Sequence, residues 1–547
     1  MTRLETTNLE TNSAEHRLRG LALDFALAAG LAGLTVLLRA LWLPEQSVWY
    51  DEYLSVRSVH LPSLVECLRE QLKWDWHMVP AYHVVQYYWA HCTDGSDLAI
   101  RWLSVLFSAG AVVLLFALGR SCFNRTAAVA AAACFALSPF HLFHGQEIRQ
   151  YSMVTFLALL SLFTFLKMEK GWSLRWGLLH VACNLLLLWT HLLSAFLLVP
   201  EGLYLLLFHF RSWRKVLGWF MAHAVIVLSL VVWVLSLRGG AGAPGATPPP
   251  LSDLWQVLFH RDFEYIHWAA GAMPIPVHPG EAAPLALRVL LYQPRMENLL
   301  AWVWVFSMAL ALIFAVWRWR RAGERDNFKV VALFVLVTLV PPVLLYATTW
   351  MTHLQLFQGR FSIYSSPALY LVAGAALGYV KPRWLRAGCL VFLVGLMGFQ
   401  TVFGVGLRVR HGYLPAARVL REHKQPEEFL VVHGLYTQWL LEYNLGSPPI
   451  PRLDTSTTEE LEHTLLEGLG QGQTGWLVMP GMPPNNAGDP NLAGAAERVE
   501  GFLREHGLRY EMTRFLGMQN IHVLHVFPFP RDSVEEAVPG AAAASGG

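Results

Sequence analysis

Charge is what this sequence has least of. Only 15% of its 547 residues are Asp, Glu, Lys or Arg, and 54% are apolar. Soluble domains carry about 25% charged residues, so the composition excludes an ordinary soluble fold and indicates a membrane protein. The formal net charge is +2, and the basic residues are dispersed loop by loop, which gives no face for nucleic acid. Cysteine is also scarce, at six residues, with no CxxC or Cys/His metal spacing. Cys122, Cys134, Cys183 and Cys389 lie in or beside apolar runs and read as small core residues. Cys67 and Cys92 share one predicted exterior loop, where a disulfide is chemically allowed. The first apolar run reads as an uncleaved membrane helix and not as a cleavable leader. The apolar run 21–43 is too long for a signal-peptide core and has no small-x-small exit before Pro44.

What the chain has instead is a series of long apolar runs. A bilayer core of about 30 Å needs about 20 helical residues. Eleven runs qualify as spans: 21–43, 98–119, 127–143, 152–166, 176–191, 192–209, 216–237, 299–317, 330–349, 361–380 and 387–407. Basic clusters occupy every second connection: Arg120 and Arg125; Lys167, Lys170 and Arg175; Arg211, Arg214 and Lys215; Arg318 to Lys329; and Lys381, Arg383 and Arg386. The positive-inside rule places these, with Arg17 and Arg19, in the cytoplasm. The chain therefore divides into a cytoplasmic tail (1–19), a transmembrane domain (20–410), an extracytoplasmic domain (411–530) and a disordered tail (531–547). In the 411–530 stretch LPAARVLREHK, YTQWLLEYNL, TTEELEHTLLEGL and AAERVEGFLREHG read as helices. FLVVHG, TGWLVMPG and a closing hairpin, RYEMTRFLG with IHVLHVF, read as strands. The fold class is thus a polytopic all-α membrane domain of about eleven helices with a C-terminal soluble α/β domain. The glycines of that domain follow no phosphate-loop spacing, so it carries no nucleotide site.

The connections on the other face hold the residues suited to chemistry. The first exterior loop, 44–97, opens with WYDEYLSV, where Asp51 and Glu52 sit among Trp49, Tyr50 and Tyr53. Such aromatics suit the headgroup layer and can stack on sugars. WHMVPAYHVVQYYWAHC follows, an apolar-aromatic stretch too short to span, containing His77. Short exterior turns supply Glu147, Arg149 and Tyr151 in QEIRQY, His191 in WTH, and His353 and Arg360 in WMTHLQLFQGR. An arginine at a helix end is commonly a snorkelling anchor. Here the cations share one membrane face with carboxylates and hydroxyl donors. That set suits transfer of a sugar from a lipid phosphate. A base must take the acceptor proton, and cations must hold the departing phosphate. One carboxylate base acting in line implies inversion, by analogy with inverting hydrolases.

These stretches resemble the membrane-embedded glycosyltransferases of the C-type fold (GT-C), in the bacterial branch related to protein O-mannosyltransferases and the lipid A aminoarabinose transferase. The resemblance lies in WYDEYLSV, WHMVPAYHVVQYYW, RWLSVLFSAGAV, HGQEIRQYSMVTFLALLSL, WTHLLSAFLL and GRFSIYSSPALYLVAG, in that order along residues 20–380. It implies a polyprenyl-phosphate-linked sugar as donor, transfer on the extracytoplasmic face of the inner (plasma) membrane, and no cofactor or metal. The acceptor is a protein, glycolipid or polysaccharide hydroxyl. Asp51 falls on the family's catalytic acidic position with Glu52 beside it, Glu147, Arg149 and Tyr151 on its second exterior motif, and Arg360 on its late Arg-aromatic motif. Where many members show His-Pro-Pro, this chain has His77-Met78-Val79-Pro80.

Two other readings stay open, the second of them from another class. A polysaccharide polymerase or ligase keeps the chemistry but uses the long loop 238–298, with His260, Arg261, His267 and Arg288. A lipid-linked sugar flippase would need ionisable groups near the midplane and an internal repeat. Glu201, after Pro200 in the sixth run, is the main residue of that kind. It reads as a buried hydrogen-bonded partner, a substrate contact or a sign of a shifted span boundary.

Overall fold

The computed structural model describes residues 3–74, 78–236, 248–260, 285–354, 356–406, 412–446, 450–480, 495–515 and 521–528. Most of the 238–298 loop and all of the predicted 531–547 tail lie outside them. The chain forms two compact units. One comprises Met1–Leu41, Ser55–Tyr265 and Gln293–Val405, the other Trp42–Leu54, Ile266–Tyr292 and Gly406–Gly547.

The first unit is built from helices, and the protein is a multi-pass membrane protein. Among the described residues eight helical stretches are long and apolar enough to cross a bilayer. One of these, Leu192–Ser236, takes in two of the predicted runs. His209 leaves helical geometry there (φ −127°, ψ 11°) and separates Leu198–His209 from Trp213–Ser236. Two further runs fall on shorter helices, Arg125–Leu137 and Leu174–Leu188. At 1.5 Å per residue the first of these is only about 20 Å long. The predicted run 127–143 is cut at Pro139, which has no N–H to continue the ladder. Ser138 is extended there (φ −68°, ψ 120°), as residues before proline tend to be. Its Oγ accepts from His141 N at 3.2 Å and starts a short helix, Pro139–His144.

Arg125–Leu137 explains itself by its alanines. Lipid gives helices no hydrophobic reason to associate, so small residues that let backbones approach closely supply the contact. A Cβ at Gly374 would lie 2.5 Å from Ala127 O, and one at Gly119 would lie 2.7 Å from Ala128 Cα. Asn124 starts the helix, its Oδ1 accepting from Ala127 N at 3.0 Å and its Nδ2 donating to Gly378 O at 3.3 Å.

The second unit contains a five-stranded sheet, with β1 Phe429–His433, β2 Leu453–Thr455, β3 Gly475–Pro480, β4 Tyr510–Phe515 and β5 Ile521–Val526, in the order β2-β1-β3-β5-β4. β2, β1 and β3 run parallel, and β5 is antiparallel to β3 and to β4. Alternate residues of the strands go to opposite faces. Leu430, Val432, Trp476 and Val478 pack with Leu440 and Leu441 of the helix Leu435–Leu445 and with Leu420 of Tyr413–His423. Val431, Leu477 and Met479 pack with Leu461 and Leu465 of Thr458–Gly470 and Val499 of Ala495–Glu505. Burial on both faces is why FLVV and WLVM read as continuous apolar runs. The edge strand β2 was not expected from RLDT, which has one apolar residue in four. Cys67 and Cys92 are both free, Cys67 buried and Cys92 exposed, so no disulfide joins them.

Gly374→Val is expected to force the Ala127 backbone away and to lower stability by about 1–3 kcal/mol, the usual cost of overpacking. Gly388→Val, where nothing lies within 4 Å of a new Cβ, should change little. Thermal melts of the detergent-solubilised variants check the pair, and equal melting would contradict the close-approach account.

Candidate active site

Asp51 and Glu52 lie in the first turn of the helix Tyr50–Val59, where the positive end of the helix dipole favours carboxylates. Their situations differ. Glu52 is 1% exposed, and its Oε2 accepts from Trp49 N at 3.4 Å. A glutamate at the third helical position reaching back to the capping residue's N–H is half of a capping box. Asp51, one residue earlier and rotated by about 100°, is partly exposed.

In the first unit, the turn between the helices Pro139–His144 and Tyr151–Gly171 is buried, and hydrogen bonds reach it from three directions. Arg101 Nη1 donates to Gln146 O at 2.7 Å, and Ser104 Oγ donates to Glu147 O at 2.6 Å. Gln146 Nε2 donates to Arg39 O at 2.7 Å and to Leu41 O at 2.8 Å. Glu147 Oε2 lies 2.6 Å from His144 Nδ1, both side chains being buried. The His144 ring is 4.7 Å from that of Tyr151, and Tyr151 is 6.3 Å from His191. His191 is 5.8 Å from Phe361, whose ring lies 5.3 Å from the Arg360 guanidinium. Arg360 Nε also donates to Gln358 Oε1 at 2.8 Å. The fold thus brings Glu147, Tyr151, His191 and Arg360 into one line of contacts, through His144 and Phe361. Arg149 is buried beside it in sequence, and its Nη1 donates to Ser55 Oγ at 3.3 Å.

Two buried histidines, His144 in this arrangement and His83, which feels the Arg149 charge, were not singled out by sequence reading. His144 was visible only as the first residue of HGQEIRQY, three positions before Glu147. His83 sits inside the aromatic stretch AYHVV, is buried and feels the Arg149 charge. No local pattern marked either. Other candidates fare differently. His353 is exposed at the C-terminal cap of Arg325–Thr352, with φ 54° and its N–H donating to Thr349 O at 2.9 Å, which is a helix-end position. His77, Arg261 and His267 lie outside the described residues, and Arg288 falls on the helix Leu285–Ala322. Glu201 is fully buried as a hydrogen-bonded partner: Ser161 Oγ donates to its Oε1 at 3.2 Å, and His180 Nε2 is 3.4 Å from its Oε2. Among the described residues, no group of three or more His, Cys, Asp or Glu is arranged to hold a metal ion.

Residues 80–236 match the family model described as dolichyl-phosphate-mannose-protein mannosyltransferase. This stretch of the chain is similar to that family. The turn with Glu147, Arg149 and Tyr151, and His191 after it, lie within the matched stretch. Among solved structures, the chain is 12% identical to ArnT from Cupriavidus metallidurans bound to undecaprenyl phosphate, with a TM-score of 0.45, covering 92% of this chain and 97% of that one. It is 12% identical to the archaeal oligosaccharyltransferase AglB from Archaeoglobus fulgidus in complex with an inhibitory peptide and a dolichol-phosphate, with a TM-score of 0.42, covering 77% of this chain and 63% of that one. No curated protein matches the chain in sequence.

Burial pushes the pKa of His83 down from 6.5 to about 3, the Arg149 charge adding to the shift and a Gln86 hydrogen bond opposing it. The ring stays neutral in the fold where the unfolded chain would bind a proton. Stability from this group is therefore complete above pH 6.5 and falls as the pH drops from there towards 3, by about 1.4 kcal/mol per unit. By about pH 5 the loss should reach roughly 2 kcal/mol, and His83→Phe should remove that part of the acid sensitivity. Melting curves of both proteins across this range check it. Parallel decline of the two would contradict the assignment.

Proposed function

We propose that the protein is an integral membrane glycosyltransferase that moves a sugar from a polyprenyl-phosphate donor to an acceptor hydroxyl. The observation that carries this reading is the match of residues 80–236 to a family described by its dolichyl-phosphate-mannose donor, over the stretch that holds the buried Glu147–Tyr151 turn. Asp51 is the general base. It is the partly exposed carboxylate of the pair, in the first turn of the helix Tyr50–Val59. An ordinary carboxylate is a weak base for a hydroxyl, so proton transfer comes late, as the acceptor oxygen bonds to the anomeric carbon. The sugar–phosphate bond breaks as that bond forms, and the electron pair leaves with the lipid phosphate. Arg149 and Arg360 supply the positive charge that stabilises it. A single displacement inverts the anomeric carbon. Glu52, buried and capping the helix, holds the turn in place. His144 orients Glu147, and Tyr151 and His191 offer hydrogen bonds to the sugar. The basic clusters support an extracytoplasmic site by the positive-inside rule, and the proposed acceptor is a protein, glycolipid or polysaccharide hydroxyl at the inner membrane.

The test is a transfer assay with the purified protein and a panel of polyprenyl-phosphate sugars. Asp51→Asn should lower kcat about 100-fold or more, the usual scale for a general base, with the donor KM little changed. Arg149→Ala and Arg360→Ala should raise the donor KM and lower kcat together, since ground and transition states both carry phosphate charge. Normal turnover by Asp51→Asn, with activity lost in Arg261→Ala, would move the chemistry to the 238–298 loop and favour a polymerase or ligase.

A further inference from the structure

The segment that carries Asp51 belongs to the same compact unit as the C-terminal sheet domain, although more than 350 residues separate them in sequence. Two hydrogen bonds tie it there. Ser47 Oγ accepts from Leu414 N at 3.0 Å, and Val48 O accepts from Asn444 Nδ2 at 3.2 Å. Three ring contacts follow. Tyr50 packs edge-on to Tyr436 at 4.6 Å, Tyr53 lies 6.5 Å from Trp439 in a stacked arrangement, and Tyr53 meets Tyr443 edge-on at 5.6 Å. Tyr50 and Tyr53 are three apart and share a helix face, as do Tyr436, Trp439 and Tyr443. The helix Leu435–Leu445 therefore presents two faces. Leu440, Leu441 and Leu445 fill the core of the sheet domain, while Tyr436, Trp439 and Tyr443 stay partly exposed and meet the Asp51 helix.

We propose that the aromatic row Tyr436, Trp439 and Tyr443 is a positioning surface for the Asp51 turn, so that the C-terminal domain orients the general base. This rests on the reading of Asp51 as that base. Asp51 lies between the two anchored tyrosines, so holding Tyr50 and Tyr53 fixes both the rotation and the height of the turn that presents its carboxylate. Small misplacements of a catalytic group are costly because the reacting atoms must be held close to attack geometry. A row of rings provides such a hold at little entropic cost, since each has only two side-chain torsions.

The experiment compares Trp439→Ala, Trp439→Phe, Tyr53→Leu and the double variant Tyr53→Leu/Trp439→Ala in the full chain. Two readouts are taken: amide hydrogen exchange across residues 47–54, and kcat and KM for a polyprenyl-phosphate sugar. Trp439→Ala should speed exchange in 47–54 while β1 and β3 stay protected, and should lower kcat about 10-fold with the donor KM unchanged. Trp439→Phe should recover most of the rate. The double variant should be no worse than the poorer single, because both singles already remove the shared Tyr53–Trp439 contact. Tyr53→Leu tests the contact from the other side, with a substitution outside the sheet domain's own stretch of sequence. Unchanged exchange in 47–54, additive losses, or faster exchange with full kcat would each overturn the proposal. Asp51→Asn in the same set separates the two claims. Normal turnover by that variant sinks the base assignment, while the exchange pattern of the Trp439 variants still decides whether the row holds the turn.

Discussion

A buried stretch of irregular backbone needs a partner for every N–H and C=O, because no water is there to supply one. The turn from Gly145 to Gln150 is such a stretch, and the first unit is arranged around meeting its demand. Arg101 and Ser104 reach in from one helix, and Gln146 ties the turn to the end of another at Arg39 and Leu41. Arg39 is itself fully buried, its guanidinium donating to Ala136 O and Phe135 O where the alanine helix ends. A Cβ at Gly145 would lie 2.5 Å from Arg39 Nε, so glycine there leaves room for the arginine. With the backbone held, Glu147 meets His144, Tyr151 starts its helix beside His191, and Arg149 reaches Ser55. A looser turn would leave the same side chains in the sequence and no arrangement among them.

Adjacent carboxylates illustrate how one residue of helical rotation separates roles. Asp51 and Glu52 are neighbours in sequence and lie about 100° apart on the helix. Glu52 is turned inward and closes the start of the helix on Trp49 N. Asp51 keeps access to solvent. The aromatics on either side divide in the same way: Trp49 is buried, and Tyr50 and Tyr53 rest on the helix Leu435–Leu445. The tyrosine rings that suggest a membrane-edge stretch in WYDEYLSV are the ones that pack against the C-terminal domain.

Much of the architecture was legible in the chain because its signals are local. Apolar runs of bilayer length are set by composition alone, and they fall on helices. The soluble domain was legible for the same reason, its helices carrying the 3.6-residue period and β1 and β3 running apolar without a break. What escaped was short or non-local. The three residues of β2 are too few to show a pattern, and they become a strand only because β1 offers an edge. The cut at Ser138 was hidden inside an apolar run that composition alone joined to the next helix. His144 and His83 looked like ordinary members of aromatic stretches until the fold placed a carboxylate beside one and an arginine near the other.

The sequence by itself determined that this is a multi-pass membrane protein with an α/β appendage, since hydropathy and periodicity need no knowledge of distant residues. It also nominated Asp51, Glu147, Arg149, His191 and Arg360 through their positions next to apolar runs. Only the tertiary structure decided which nominees share contacts, that Glu201 is a buried partner of Ser161 and His180, and that the Asp51 segment packs with a domain encoded hundreds of residues later. Those outcomes depend on which helix faces meet. Meeting faces are chosen by packing and by the satisfaction of buried polar groups across the whole chain, and no short window of residues contains that information.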